Sequence, residues 1–397
     1  MGEGDRRRPH LGRVALPLLF SAAALAAAAQ ETSLDELLAR ARKRDAEAEY
    51  QLGMRAYEGR GVPRNPGQAL RLMQRAAQHG YVEAQNTYGY FLQHGVGIDP
   101  DPARALPWFE AAANRGHALA QVNLGWLYEH GQGVERSSVT ALEWYRKAAA
   151  QGLAEAELNA GHLLESASPP DDDAAAAAYT RAAKLGLPLG YERLGRLVEA
   201  NRAPQTKYGD ALANYLKAAQ GGVADAQQAA ARLELAAGGA GNARDAVQWL
   251  ERAAKQNQAS ARGMLADAPT QYRIATQLAS KPPAGEADAF GWLQRAAAQG
   301  LRDAQVRLGI ALEEGRGTAR DPAGAAAWYA KAGEAGDPEA LYRLALLYDH
   351  GAGVARDTVR ARNLLAQAAI LGHAKAKDRI AALLGSPPPQ IQGGWPR

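Results

Sequence analysis

One short pattern, usually an Ala-Ala pair followed by a turn glycine, recurs along most of the 397 residues. The glycines are Gly80, Gly116, Gly152, Gly186, Gly222, Gly300, Gly336 and Gly372, at successive intervals of 36, 36, 34, 36, 78, 36 and 36 residues. The interval of 78 divides near Asn257, in "ERAAKQN", into 35 and 43. A unit of this length cannot bury an apolar face by itself, so it must stack on its neighbours. By length alone the chain would divide into two or three domains. The period predicts instead nine units between residues 46 and 372, with bounds near 46–80, 81–116, 117–152, 153–186, 187–222, 223–257, 258–300, 301–336 and 337–372.

Each unit reads as two helices. The first carries Ala-x3-Leu-Gly, as in Ala48 with Leu52-Gly53, Ala120 with Leu124-Gly125 and Ala304 with Leu308-Gly309. Apolar residues four apart that run into Gly-x-Gly describe an amphipathic helix ending at a turn. Such turns stand at Gly59-Arg60-Gly61, Gly95-Val96-Gly97, Gly131-Gln132-Gly133, Gly315-Arg316-Gly317 and Gly351-Ala352-Gly353. The second helix opens on an N-cap and a proline at Asn65-Pro66, Asp101-Pro102 and Asp321-Pro322. The side-chain oxygen satisfies a first-turn amide, and proline loses no hydrogen bond at that position. The helix continues as Ala-Leu-x-Trp-Tyr-x-Lys-Ala-Ala at residues 141–149, and more loosely at 105–113 and 325–332. An alanine-rich chain with this pattern is all-α.

These residues resemble the Sel-1-like repeat, a short relative of the tetratricopeptide repeat, over about 330 residues. The faithful copies lie at residues 45–80, 81–116, 117–152, 301–336 and 337–372. The resemblance implies a right-handed α-solenoid of stacked antiparallel helix pairs that serves as a non-enzymatic protein-binding scaffold. Bulky Trp108, Trp144, Trp249, Trp292 and Trp328 are expected to fill the spaces between pairs. The middle units depart from the pattern through "SASPPDDD", "ANRAPQTKYGD", "AAGGAGNAR" and "SKPPAGEAD", so a less regular section, a bend between better-formed arrays, is expected there.

Residues 1–29 read as a cleavable signal peptide: Arg6, Arg7, Arg8 and Arg13 precede an apolar run over residues 14–29, with Ala27-Ala28-Ala29 before Gln30. Sixteen apolar residues interrupted by Pro17 are short for a membrane span, which needs about 20. With no cysteine there is no disulfide, thiolate metal site or lipid attachment at the cleavage point, and the expected location is periplasmic or secreted, without a stable membrane anchor after cleavage. The formal charge of +4 halves on cleavage, because four arginines leave with Glu3 and Asp5. The basic residues form no stripe, so nucleic acid is not an expected partner. Residues 30–45 are expected to form a leading helix capped by Thr32 or Ser33, residues 373–385 a capping helix, and residues 386–397 a disordered tail.

Catalytic signatures are missing from the sequence. His94, His130 and His350 repeat one position before a turn glycine, where a helix C-terminus favours a cation, while His79, His117 and His373 lie at unit junctions. Their spacing matches no metal-ligand pattern. The Gly-x-Gly turns end helices and do not follow strands, so they are not phosphate loops. Asp171-Asp172-Asp173 reads as a solvated helix start. Neither a cofactor nor a metal is therefore expected.

Subtracting the consensus leaves candidate contact residues. On each first helix the consensus glycine marks the packed side; residues two before, one after and five after it form another stripe. It reads Gln51, Met54, Glu58; Thr87, Tyr90, His94; Asn123, Trp126, His130; Asn159, His162, Ser166; then Arg193, Arg196; Arg307, Ile310, Glu314; and Arg343, Leu346, His350. The resemblance would put this stripe on the concave surface. The candidate partner-binding residues are Gln51, Thr87, Tyr90, Asn123, Trp126, Asn159, His162, Arg193, Arg196, Arg307 and Arg343. Amides and hydroxyls with Tyr90 and Trp126 suit an extended peptide, and the arginines suit carboxylates. The expected function is an exported scaffold or adaptor in signalling, exopolysaccharide assembly or secretion. The alternative is a cell-wall or polysaccharide-binding module using Tyr90 and Trp126 as stacking platforms, and a pocket for catalysis would have to arise near residues 169–173 or Tyr208. Oligomeric state is not readable from the sequence.

Overall fold

A computed structural model of the chain describes residues 32–385, and the regular structure among them is helical. The signal peptide expected at residues 1–29 and the tail expected at 386–397 lie outside the described residues. The leading helix is α1 (Leu34–Arg42), capped by Ser33. Consecutive helices then pack as pairs: α2 (Ala46–Glu58) with α3 (Pro66–Gln78), α4 (Val82–His94) with α5 (Pro102–Asn114), α6 (Ala118–His130) with α7 (Ser138–Ala149), and α8 (Ala154–Glu165) with α9 (Asp172–Lys184). After α10 (Pro188–Glu199), the short α11 (Gln205–Tyr208) and α12 (Ala211–Gln220), pairing resumes with α13 (Ala224–Ala237) and α14 (Ala240–Lys255). An additional helix, α15 (Ala259–Ala266), precedes the pairs α16 (Ala268–Leu278) with α17 (Glu286–Ala298), α18 (Arg302–Glu314) with α19 (Pro322–Glu334), and α20 (Pro338–His350) with α21 (Thr358–Ile370). The expected capping helix is α22 (Ala374–Gly385), which packs on α21.

The local chemistry follows the repeat. Asn65, Asp101 and Asp321 each accept a hydrogen bond from the amide three residues on, ahead of Pro66, Pro102 and Pro322. The first helices stop where Gly59, Gly95, Gly131, Gly315 and Gly351 turn left-handed, with φ between 65 and 78°. His117 and His373, unassigned from sequence, cap the following helices: the Ala120 and Ala376 amides donate to their Nδ1 atoms at 3.1 Å.

Within a pair, a small residue on the first helix meets a large one on the second. A Cβ added at Gly125 would lie 2.8 Å from the Tyr145 ring, and one at Gly161 2.6 Å from the Tyr179 ring. Gly89 sits likewise on Phe109, Gly309 on Tyr329 and Gly53 on Met73. Where the second helix offers the smaller Leu250, Leu293 or Leu365, the first carries Ala231, Ala275 or Ala345 in the same core cluster. The buried phenols also find acceptors in their own pair: Tyr145, Tyr179 and Tyr329 donate to Glu129, Glu165 and Glu313 at 2.6, 2.6 and 2.7 Å. The tryptophans expected to fill the spaces between pairs are only partly buried, packed against the core clusters; the wholly buried ring is their neighbour, Phe109, Tyr145 or Tyr329. Lys147 and Lys331 lie over the Trp144 and Trp328 rings at 3.7 and 4.1 Å, covering their outer faces.

Two further devices join one repeat to the next. The second glycine of Gly-x-Gly, read from sequence as part of a turn, abuts the start of the preceding repeat's second helix: a Cβ on Gly97 would lie 2.6 Å from the Pro66 carbonyl oxygen, and one on Gly133 2.5 Å from the Ala103 nitrogen. At Gly61, which follows only the leading helix α1, nothing among the described residues lies within 4 Å. In seven of the nine repeats the residue four before the consensus position is polar yet buried. Gln85, Gln121, Gln227 and Gln305 donate to the carbonyls of Ala77, Ala113, Ala219 and Ala297, in the last turns of the preceding second helices. In the first repeat this place is held by Glu49, wholly buried and paired with Arg75 at 2.5 Å and His79 at 2.7 Å.

The chain divides into two compact blocks between Ala211 and Leu212, inside the section that the sequence marked as irregular. In the N-terminal block "SASPPDDD" leads into α9, where Asp171 is the N-cap, Asp172 pairs with Arg202 and Asp173 with Lys207. The three aspartates thus serve the protein's own amides and cations, and not only solvent. In the C-terminal block the interval of 43 residues comes from α15 as well as from the loop "SKPPAGEAD".

Two measurements probe this packing. Gly61→Ala and Gly133→Ala both force alanine to positive φ, at roughly 1–2 kcal/mol, but among the described residues Gly133 meets a neighbouring backbone and Gly61 does not. Urea titration is expected to show Gly133→Ala costing more than Gly61→Ala by about 1–3 kcal/mol, the range for overpacking. In the C-terminal block Glu234 is 6% exposed, and burial, with the nearby Asp245 charge, pushes its carboxyl from 4.5 up to about 7. A carboxyl that binds its proton more tightly when folded contributes its full stability below about pH 4.5, loses it progressively towards pH 7 and gives none above. Glu234→Gln is therefore expected to raise the melting temperature at pH 8 and leave it nearly unchanged at pH 4, on the order of 3 kcal/mol at the upper end.

Candidate functional site

The stripe two before, one after and five after the consensus position is only partly taken up by packing: Met54, Thr87 and Tyr90 are buried in it, and most of its other members are not. In the N-terminal block the structure narrows it. Thr87 and Tyr90 are 2% and 5% exposed, with Tyr90 in the core cluster, so the open contact residues expected there are corrected to packed ones. The cause lies in the second repeat, whose first helix is buried along the whole run from Ala84 to Leu92. Tyr90 stacks on His94 with ring centroids 3.9 Å apart.

One repeat on, the same register opens. Trp126 is partly exposed and stacks on His130 at 4.3 Å, while His130 Nδ1 lies 3.0 Å from the Trp126 carbonyl oxygen. Asn123 Nδ2 donates to Asn86 Oδ1 at 2.9 Å, joining adjacent first helices. His162 Nδ1 approaches Glu129 Oε1 at 3.6 Å, while the Tyr145 hydroxyl donates to the other oxygen, Oε2. Burial acts to raise the Glu129 carboxyl; hydrogen bonds from His162 and Tyr145 outweigh it and hold the group below the usual carboxylate range. Asn159 is partly exposed, and Gln51 donates to Glu47 on its own helix. Arg193 and Arg196 both approach Glu192, at 3.4 and 3.7 Å.

In the C-terminal block the stripe leads into a pocket of about 320 Å³. Its floor is apolar, with Ala275, Phe290, Leu293 and Ile310; its charged residues are Arg307, Arg316, Arg343, Glu286 and Glu314. The structure thus brings together two candidate arginines, Arg307 and Arg343. Arg343 is held by Glu339 at 2.5 Å and Glu313 at 3.2 Å. Arg307 Nε donates to the Tyr272 hydroxyl at 2.7 Å. The sequence directed attention to residues 169–173 and Tyr208 as the place for a pocket, but there the aspartates are bound to Arg202, Lys207 and Tyr208. The pocket forms instead where the proline-bearing loop after α16 contributes Ala279 and Pro282.

Among the described residues no group of three or more His, Asp or Glu side chains is placed to hold a metal ion, and no helix is long and apolar enough to cross a membrane. The buried glutamines and glutamates four before the consensus position were missed from sequence. Their signal was a polar residue in fixed register after the consensus alanine, as in Ala84-Gln85, Ala120-Gln121, Ala156-Glu157 and Ala304-Gln305.

The Sel1 repeat family model matches residues 46–81, 82–117, 118–153, 224–258, 271–301, 302–337 and 338–373. It passes over residues 154–223, although α8 and α9 there pack as a pair with Tyr179 on Gly161. No curated protein matches the chain. Among solved structures, a Sel1 repeat protein from Oxalobacter formigenes is 29% identical, with 92% of this chain and 93% of that one covered and a TM-score of 0.39. The protein c5321, a protective antigen present in uropathogenic Escherichia coli strains displaying an SLR fold, is 28% identical, with 88% and 82% covered and a TM-score of 0.38.

Proposed function

Because the chain belongs to the Sel1 repeat family, we propose that it is a non-catalytic scaffold that holds a partner protein or peptide along the exposed stripe of its first helices. The observation that carries this reading is Trp126. It stands outside the repeat consensus, is partly exposed, and is backed by the His130 ring. A tryptophan already held in place offers a large contact area and has little side-chain freedom left to lose on binding. Asn123, Asn159 and His162 stand near it in the register as polar groups for a peptide backbone. The consensus glycines, alanines and second-helix rings, by contrast, are consumed by packing. Tyr90 has no part in the proposed surface, because it is buried. The arginines and apolar run at the start of the sequence support work outside a bacterial cytoplasm, in envelope signalling, exopolysaccharide assembly or secretion.

A photo-crosslinking amino acid placed at position 126 is expected to give a discrete protein adduct in envelope extract, and the same group at Val139, which is 72% exposed on the second helix α7, none. Trp126→Ala is expected to weaken capture of that partner at least about tenfold, the scale of an interface anchor, with helical circular dichroism unchanged. Equal crosslinking from position 139, or sugar-specific binding on a glycan array that Trp126→Ala abolishes, would overturn the reading.

A further inference from the structure

The pocket of the C-terminal block has a chemistry of its own. Its volume of about 320 Å³ is at the small end of the range for ligand pockets, roughly 300–1,000 Å³. The floor is apolar, and three arginines stand against two glutamates around it. These five charges are not equivalent. Arg316 is paired with Glu314 at 2.5 Å, and Arg343 with Glu313 and Glu339. Glu286 sits in the first turn of α17, where the helix dipole already favours a negative charge. Arg307 is different. Its Nε donates to a neutral phenol, Tyr272, and among the described residues it has no carboxylate partner and no hydrogen bond at either Nη.

The Tyr272 bond also sets its direction. Arg307 occupies the register place of Asn123, and both reach back to the residue three before the consensus position on the preceding first helix, Tyr272 in one case and Asn86 in the other. A guanidinium anchored through Nε keeps its two terminal nitrogens for a bidentate acceptor. Arg307, Ile310, Glu314 and Arg343 are all stripe residues and all line the pocket, so a chain lying along this part of the stripe passes over it.

We propose that this pocket seats one large apolar side chain from an acidic segment of a partner protein, with the neighbouring Asp or Glu carboxylate on the Arg307 guanidinium. The proposal rests on the scaffold reading and adds the chemistry of one anchor. The apolar floor takes the side chain out of water, and the uncompensated charge selects an acid beside it over an amide or an amine.

The test uses the full chain and an array of twelve-residue peptides, each with Leu or Phe next to Asp, Glu, Asn, Gln or Lys in an otherwise Gly-Ser sequence. Leu-Asp, Leu-Glu, Phe-Asp and Phe-Glu members are expected to bind at least tenfold more tightly than their Asn, Gln and Lys counterparts. Arg307→Gln is expected to erase that preference. Ala279→Trp, which fills the pocket from an exposed position, is expected to remove binding of every member. Thermal melting of each variant checks that it folds, and Arg307→Lys, which keeps the charge without the fork, is expected to fall between wild type and Arg307→Gln. Equal binding of Asp and Asn peptides, binding of no member, or binding untouched by Arg307→Gln would overturn the proposal. So would competition by N-acetyl-leucine at the peptide's own concentration, which would assign the pocket to a small carboxylic acid. A persistent crosslink from position 126 in that event leaves the scaffold reading standing and removes only this anchor.

Discussion

The rest of the molecule depends on how closely the two helices of a repeat approach. On the first helix a glycine meets a large side chain of the second, or an alanine shares a core cluster with a leucine of the second. Glycine is used where the second-helix residue is Tyr145, Tyr179, Tyr329, Phe109 or Met73, and alanine where it is Leu250, Leu293 or Leu365. The volume removed from one helix reappears on the other, as close packing requires. The ring brings a hydroxyl into the core with it, and the same first helix supplies the carboxylate one turn on: Tyr145 with Glu129, Tyr179 with Glu165, Tyr329 with Glu313. Burial pushes these phenols well above the ordinary tyrosine range, and their glutamates push them further, so the hydroxyl remains a donor. Where the ring is Phe109, the corresponding residue is Gln93, uncharged and without a hydrogen-bond partner for its Oε1.

Once that face of the first helix is committed to its own pair, and the buried position four before it to the preceding repeat where it is Gln or to its own second helix where it is Glu49 or Glu157, one stripe is left. Packing thereby decides which residues are available for recognition. Trp126 remains partly open, whereas Tyr90, at the same register place, is enclosed in a repeat whose first helix is buried along the whole run from Ala84 to Leu92. In the C-terminal block the same stripe meets a loop that carries Pro282, and the result is a concave site instead of an open helix face. Local irregularity in a repeat array thus supplies the variation that a uniform stack lacks.

Much of this was legible in the sequence. The period, the capping residues Asn65, Asp101 and Asp321, the left-handed glycines that end first helices, and the paired helices all followed from spacing and elementary backbone chemistry. Accessibility was harder to read, because a register position says which way a side chain leaves its helix and not how far the neighbouring repeat extends over it. Tyr90 and Trp126 therefore looked alike and are not. In the sequence the second turn glycine reads as chain reversal, although its tightest constraint is the backbone of the previous repeat, at Pro66 for Gly97 and Ala103 for Gly133. The pocket was invisible for a related reason: its walls come from α16, α17, α18, α20 and two loops, and no single repeat carries its pattern.

The central claim, that a steric exchange between facing positions holds each helix pair together, is tested most directly by a double-mutant cycle at Gly309 and Tyr329. Gly309→Ala alone should cost roughly 1–3 kcal/mol by overpacking against the ring, and Tyr329→Leu alone should lose both volume and the bond to Glu313. Joined, they recreate the Ala and Leu combination found at Ala345 and Leu365. Urea denaturation is expected to show the double variant less destabilised than the sum of the two by about 1 kcal/mol or more, a coupling typical of residues in direct contact. Losses that simply add, to within about 0.5 kcal/mol, would contradict the account.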